Sequence, residues 1–215
     1  EPYRLQFNFS GIEAGGKHRV VLQPGEILND LDFGNQHEMD YGDAPDPDYP
    51  TLIANNGARH WNDNEIFLGA SRDIDPDGQP SIPATADDTD GIDDEDGVVF
   101  TSTLIVGEMA TLEVTVAGGG VLNAWLDLDS NGNWGEVADH VIDDLPLGAG
   151  VHSLSFPIPA GATLGQTYAR FRVNSIGNLS YDGLALDGEV EDYSILISQN
   201  VEVPLPTGQS NNIVI

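Results

Sequence analysis

Thr111-Leu112-Glu113-Val114-Thr115-Val116 alternates strictly between polar and apolar side chains. A strand turns successive side chains to opposite faces. Leu112, Val114 and Val116 therefore face inward, and Thr111, Glu113 and Thr115 face solvent. Outward from this hexapeptide, Gly118-Gly119-Gly120 turns the chain and Val121 to Leu128 reads as a second strand. Val98-Val99-Phe100 upstream is a short strand. Val151 to Phe156, Thr167 to Val173 and Tyr193 to Ile197 complete the set. Short strands with turn signals at this spacing predict an all-β fold, an antiparallel β-sandwich.

Acidic loops run between these strands. In Asp87-Asp88-Thr89-Asp90-Gly91-Ile92-Asp93-Asp94-Glu95-Asp96-Gly97, seven of eleven residues are carboxylates. That density of like charge does not pack unaided. It is either a solvated run, the default for such segments, or a segment folded by divalent cations. Calcium takes six to eight oxygen ligands at roughly 2.3–2.6 Å, from Asp, Asn and backbone carbonyls. Asp127-Leu128-Asp129-Ser130-Asn131-Gly132-Asn133 matches the first half of an EF-hand-type loop, with ligand residues at positions 1, 3, 5 and 7 and glycine at 6. It departs at position 12, which is Ala138, with Glu136 and Asp139 nearby. Its flanks read as strand and loop, so this is not an EF-hand domain, and its last ligand is expected from Glu189, Glu191 or Asp192. Asp73-x-Asp75-x-Asp77-Gly78 has the same logic with a proline inserted.

The expected calcium (Ca2+) ligands are therefore Asp73, Asp75, Asp77, Asp87, Asp88, Asp90, Asp93, Asp94, Asp96, Asp127, Asp129, Asn131, Asn133, Glu189, Glu191 and Asp192. A second reading stands for the last three. On a strand Glu189 and Glu191 share one face and Val190 and Asp192 the other. Arg170 and Arg172 also share a face, so an ion pair would tie the last strand in.

Composition narrows the function. The 215 residues carry 36 acids against 7 bases, a formal charge of −29. Nucleic acid and anionic membranes both require basic patches, so neither is an expected partner. Lys17 is the only lysine and cysteine is absent, which removes disulfides and thiolate chemistry. With abundant Asp, Gly, Thr and Asn, this suits a bacterial extracellular protein in millimolar calcium. No apolar run reaches the roughly 18 residues of a membrane span. No stretch reads as a signal peptide, and the opening Glu1-Pro2-Tyr3 reads as a mature or excised piece of a longer precursor.

His18, His37, His60, His140 and His152 show no zinc spacing, and neither a Gly-x-Ser-x-Gly elbow nor a P-loop occurs. So many acids make any one carboxylate pair uninformative about glycoside hydrolysis. Trp61, Trp125 and Trp134 are the residues for a sugar-stacking platform, although Trp125 and Trp134 flank the acidic loop and read first as core or loop anchors. Asn8 and Asn178 open sequons, which matter only in a glycosylating host.

The sequence divides into three segments. Residues 1–36 read as three strands of a partial second sandwich, beginning with the alternating Tyr3-Arg4-Leu5-Gln6-Phe7-Asn8-Phe9. Residues 37–198 form the main sandwich, with 37–97 as an acidic loop region carrying at most a helical turn or two at Pro50–Ile53. Residues 199–215 end on Asn211-Asn212-Ile213-Val214-Ile215, a sticky β tail and candidate donor strand.

The order of motifs resembles a known family. Asp40-Tyr41-Gly42-Asp43-Ala44-Pro45, Gly57-Ala58-Arg59-His60, Phe67-Leu68-Gly69 and Asp73-x-Asp75-x-Asp77-Gly78-Gln79-Pro80-Ser81 come first. Asp93-Asp94-Glu95-Asp96-Gly97-Val98, Ala124-Trp125-Leu126-Asp127, Tyr168-Ala169-Arg170-Phe171-Arg172 and Gly188-Glu189-Val190-Glu191-Asp192-Tyr193 come after. Across residues 40–198 this is similar to the GEVED-domain family of large bacterial extracellular proteins. Leu31-Asp32-Phe33-Gly34-Asn35, after a Pro-Gly turn and an apolar strand, resembles the end of B-type repeats of bacterial surface adhesins (the SdrD/Cna kind). The resemblance implies a secreted, non-enzymatic β-sandwich module strung with adhesin-type repeats and calcium-binding modules. The expected role is a calcium-stabilised structural or adhesive module of a bacterial surface or biofilm matrix. Its expected partners are copies of itself, joined head to tail by strand exchange into filaments, or neighbouring repeats of its precursor. The alternative is a calcium-dependent carbohydrate-binding module with glycan partners.

Overall fold

In a computed structural model the described residues are 38–200, except 63–64, 73 and 87–94. The strands expected within 1–36, the tail 201–215, and Asp73, Asp87, Asp88, Asp90, Asp93 and Asp94 lie outside them. The chain divides into two units, Glu1–Gln36 and His37–Ile215, and the described residues all belong to the second.

Twelve strands run through the described residues: β1 (Met39–Tyr41), β2 (Arg59–Trp61), β3 (Phe67–Leu68), β4 (Val98–Phe100), β5 (Leu104–Ile105), β6 (Met109–Ala117), β7 (Gly120–Leu126), β8 (His140–Leu147), β9 (Gly150–Pro157), β10 (Gly165–Asn174), β11 (Leu184–Ala185) and β12 (Glu189–Ser198). Five form one sheet in the order β5-β12-β10-β7-β8. In the second, β3 and β4 pair with one edge of β6 and β9 with the other. Within these two sheets the pairings are antiparallel except β5 with β12.

The period of two builds the core between them. Ala110, Leu112, Val114 and Val116 of β6 are buried against Leu122, Ala124 and Leu126 of β7 and Ala169, Phe171 and Val173 of β10. Ile195 and Ile197 of β12, with Phe156 and Ile158, complete the cluster. Cross-strand pairs such as Phe171 opposite Ala124 set large against small, which lets the facing layers fill without voids.

Residues 37–97 differ from the mostly structureless loop expected of them. Three short strands and a 3-10 turn at Ile53–Asn55 run through this segment. β1, β2 and β11 make a small third sheet, with β2 and β11 parallel. This layer covers the outer face of the five-stranded sheet. That face therefore holds Arg170, Arg172 and Asp192 fully buried, where a two-layer sandwich would expose them. Strands of two or three residues carry too little periodicity to be seen in sequence. β8 is likewise absent from the alternation: Asp143, Asp144 and Pro146 break its pattern, and its pairing with β7 is bulged. β12 begins at Glu189 rather than Tyr193, so Glu189-Val190-Glu191-Asp192 of the motif is itself strand.

Candidate functional site

The motif that opens β12 works on both faces of its sheet. Glu189 and Glu191 stand opposite Val173 and Phe171, so their side chains lie on the inter-sheet side. Both are almost fully buried. Glu189 accepts the backbone N–H of Leu68, and Glu191 Oε1 accepts that of Gly97 at 2.8 Å. Glu191 Oε2 takes the hydroxyl of Tyr193 at 2.9 Å, and that hydroxyl oxygen accepts Val98 N–H at 3.1 Å. The two glutamates thus fasten the start of β12 to β3 and to the approach to β4. A Cβ on Gly97 would sit 2.5 Å from Gly69 N and 2.8 Å from Glu191 Oε1, so only glycine admits this approach.

Asp192 turns the other way. Its register partner is Arg170, and the two form a bidentate pair with Nε to Oδ1 at 2.7 Å and Nη2 to Oδ2 at 2.6 Å. Oδ2 also accepts the backbone N–H groups of Asp43 and Ala44, both at 2.9 Å. The remaining Arg170 donors reach Pro50 O, Tyr181 O and Thr51 Oγ1, and its guanidinium lies 4.7 Å from the centre of the Trp134 ring. Beside it, Arg172 donates to His60 Nε2, Ser180 O, Asp182 O, Arg59 O and Gly183 O. Burial, with Arg170 alongside, presses the Arg172 pKa down to about 9, so the charge survives at neutral pH.

An Arg Nε only donates and a carbonyl only accepts, so His60 is neutral. Nδ1–H donates to Asp187 O at 2.7 Å, and Nε2 accepts from Arg172 at 2.9 Å. Desolvation by burial, then the Arg172 charge, hold its pKa well below the usual value. On the neighbouring strand Asp40 accepts Val190 N–H at 2.7 Å. Of the two readings open for Glu189, Glu191 and Asp192, the structure forms the ion pair at Asp192 and puts both glutamates on backbone amides.

The other expected ligands fall into separate places. Asp127 Oδ2 accepts the Tyr49 hydroxyl at 2.6 Å and Gly132 N–H at 3.0 Å, and Oδ1 accepts Asn131 N–H at 3.1 Å. Asp129, Asn131 and Asn133 form a chain of Asx-type turns: Asp129 holds Asn131, Asn131 holds Asn133, and Asn133 holds Gly135. Asp75 accepts Gln79 Nε2 at 2.7 Å, and Asp77 accepts Ile53 and Gly78 N–H. Asp96 accepts Ala70 N–H and the Ser71 hydroxyl. Among the described residues no group of three His, Cys, Asp or Glu side chains forms a metal-ligand set, so any ion at the 127–133 loop depends on amide and carbonyl oxygens as well.

Asp139 and Glu136 fall outside the ligand set expected from sequence. Asp139 is 2% exposed; its Oδ1 accepts Leu128 N–H at 3.1 Å, while no donor reaches Oδ2. The exposed Glu136 carboxyl lies within hydrogen-bonding reach of it and of the Asn131 and Asn133 side chains. Burial, with Glu136 and Asp127 nearby, pushes Asp139 up to about 7. The signal that could have found it is an acid just before a strand, one residue past the position that a helical loop would use.

The sugar-stacking platform is not assembled. Trp125 is buried and stacks on His140 at 4.5 Å, and Trp134 is buried between Tyr49 and Arg170.

Residues 121–196 match the family model of the GEVED domain, from β7 to near the end of β12. Among solved structures the chain is similar to one titled "Crystal structure of BslA - A bacterial hydrophobin", at 18% identity and a TM-score of 0.24, covering 49% of this chain and 93% of that one. No curated protein matches.

Proposed function

We propose that this chain is a non-catalytic, calcium-stabilised structural module of a bacterial extracellular surface or matrix protein, and that its copies join by strand exchange. The observation that carries the structural reading is where the motif residues spend their bonds. Arg170 and Asp192 are saturated by each other and by loop backbone, Glu189 and Glu191 hold β3 and β4, and His60 is sealed neutral beneath Arg172. These buried charged groups of the motif join layers. The GEVED match supports the same reading, since modules of that family belong to large extracellular proteins.

Calcium is supported by the orphan Oδ2 of Asp139. A buried carboxylate oxygen beside a second carboxyl requires a shared proton or a cation. Asp127, Asn131, Asn133, Glu136 and Asp139 provide hard oxygen donors around that point, and Asp75, Asp77, Asp96 and the 87–94 run are further candidates. A bound ion would also offset part of the −29 charge.

The test is a thermal melt with calcium and with excess EGTA, alongside negative-stain electron microscopy. A calcium-dependent rise in Tm together with polymer supports the reading. A melt indifferent to EGTA removes calcium from it, and monodisperse particles under both conditions remove assembly.

A further inference from the structure

Sheet edges are templates for another strand, and soluble proteins normally shorten, charge or bulge them. Four of the edges in the described fold obey that rule. β3, β4 and β5 are two or three residues long. β8 is long but carries Asp143, Asp144 and Pro146, and its pairing is bulged. β9 does not obey it. Gly150-Val151-His152-Ser153-Leu154-Ser155-Phe156-Pro157 is eight residues long, pairs in unbroken register with β6, and among the described residues pairs with nothing else. It has no Asp, Glu, Lys or Arg, in a chain where 20% of residues are charged. Its outward side chains, Val151, Ser153 and Ser155, are exposed and small.

The same chain holds a segment of matching chemistry beyond β12. After Glu202 the sequence Val203-Pro204-Leu205-Pro206-Thr207-Gly208-Gln209-Ser210-Asn211-Asn212-Ile213-Val214-Ile215 is also without charge. Most other segments of a −29 molecule would bring acids to the edge of another copy and be repelled. Pro204 and Pro206 bias the residues before them, Val203 and Leu205, toward extended backbone. Ile213-Val214-Ile215 has high strand preference.

We propose that the edge of β9 left open among the described residues is the acceptor for residues 207–215 of a second copy, adding a strand to the β3-β4-β6-β9 sheet. The proposal rests on the strand-exchange reading above and names its acceptor. Each copy then presents one acceptor and one donor, a heterologous contact that propagates head to tail.

The absence of native cysteine makes the test direct. Full-length chains carrying Ser153→Cys together with Asn212→Cys, Ile213→Cys or Val214→Cys are oxidised in calcium and run without reductant. Each single variant serves as control, because one cysteine per chain links at most two copies. Ser153 is exposed, so its replacement spares the core. The expected result is a ladder of three or more linked copies from at least one double variant. Monomers closed by an internal disulfide would overturn the second copy as occupant. Polymer visible in the microscope without a ladder would overturn β9 as acceptor and leave strand exchange standing. Monodisperse particles without a ladder would overturn both.

Discussion

Arg170 is the residue on which most of the outer layer converges. Its five N–H donors are all used, and its charge is matched by an Asp192 that is as deeply buried. A pair like this contributes little over an apolar pair of the same shape, but removing one partner strands the other charge in a dry site. Asp192→Asn should therefore cost about 3–5 kcal/mol in urea unfolding. His60 makes a pH prediction. It is neutral when folded and takes a proton near pH 6.5 when unfolded. Below that value the unfolded chain binds the extra proton, so stability falls as pH falls. The groups facing the ring are Arg172, Arg170 and, across the β1–β2 pair, Asp40. Between pH 7.5 and 5 this loss runs against a gain from Asp139, whose proton binds first in the folded chain, so the measurement is a comparison: His60→Gln, which has no proton to gain, should show a more favourable change in Tm on acidification than the parent. Asp139→Asn keeps an acceptor for Leu128 N–H and removes a buried negative charge. In EGTA at pH 7.5 it should be at least as stable as the parent, and its Tm should rise less than the parent's on adding calcium.

Among the elements, β12 is the clasp. Its first four residues alternate as any strand does, yet all four are buried, because a second layer lies over each face of the sheet at that end. This geometry places glycine where the clasp closes. Gly97→Ala would push a methyl into Gly69, Leu68 and Glu191 together. Overpacking of this kind costs roughly 1–3 kcal/mol. In a domain of this size that is about 2–4 °C of Tm per kcal/mol, read by differential scanning calorimetry. Alternation is legible in several of the long strands: β6, β9 and β10 lie where their pattern predicts them. It fails for β1, β2, β3 and β11, each three residues or fewer, whose side chains answer to the latch beneath them and to no pattern of their own. It also fails for β8, whose acids and proline are the means by which an edge is kept from pairing.

For the molecule as a whole, charge is the first consideration. With 36 acids and 7 bases, the compact state repels itself. Sodium chloride screens that repulsion and should raise Tm modestly. Calcium should raise it further at matched ionic strength, through about 2.7 kcal/mol of added stability for one site at a hundredfold excess over Kd. Equal shifts from the two salts would reduce calcium to a screening ion.

The order of residues was enough for the β class, the strands of the main core and the acid-rich loops, because side-chain alternation and charge density are properties of neighbouring residues. It also offered an ion pair between the last strand and the arginine strand as one of two readings, and the structure chose Arg170 and Asp192 for it. It took the folded arrangement to bring Glu189 and Glu191 to the backbone at Leu68 and Gly97, and to bury Asp139 with one oxygen unmet. These outcomes depend on which segments lie over each face of a sheet, and residues such as Glu191 and Gly97, 94 positions apart, or Glu189 and Leu68, 121 apart, carry no local trace of that contact.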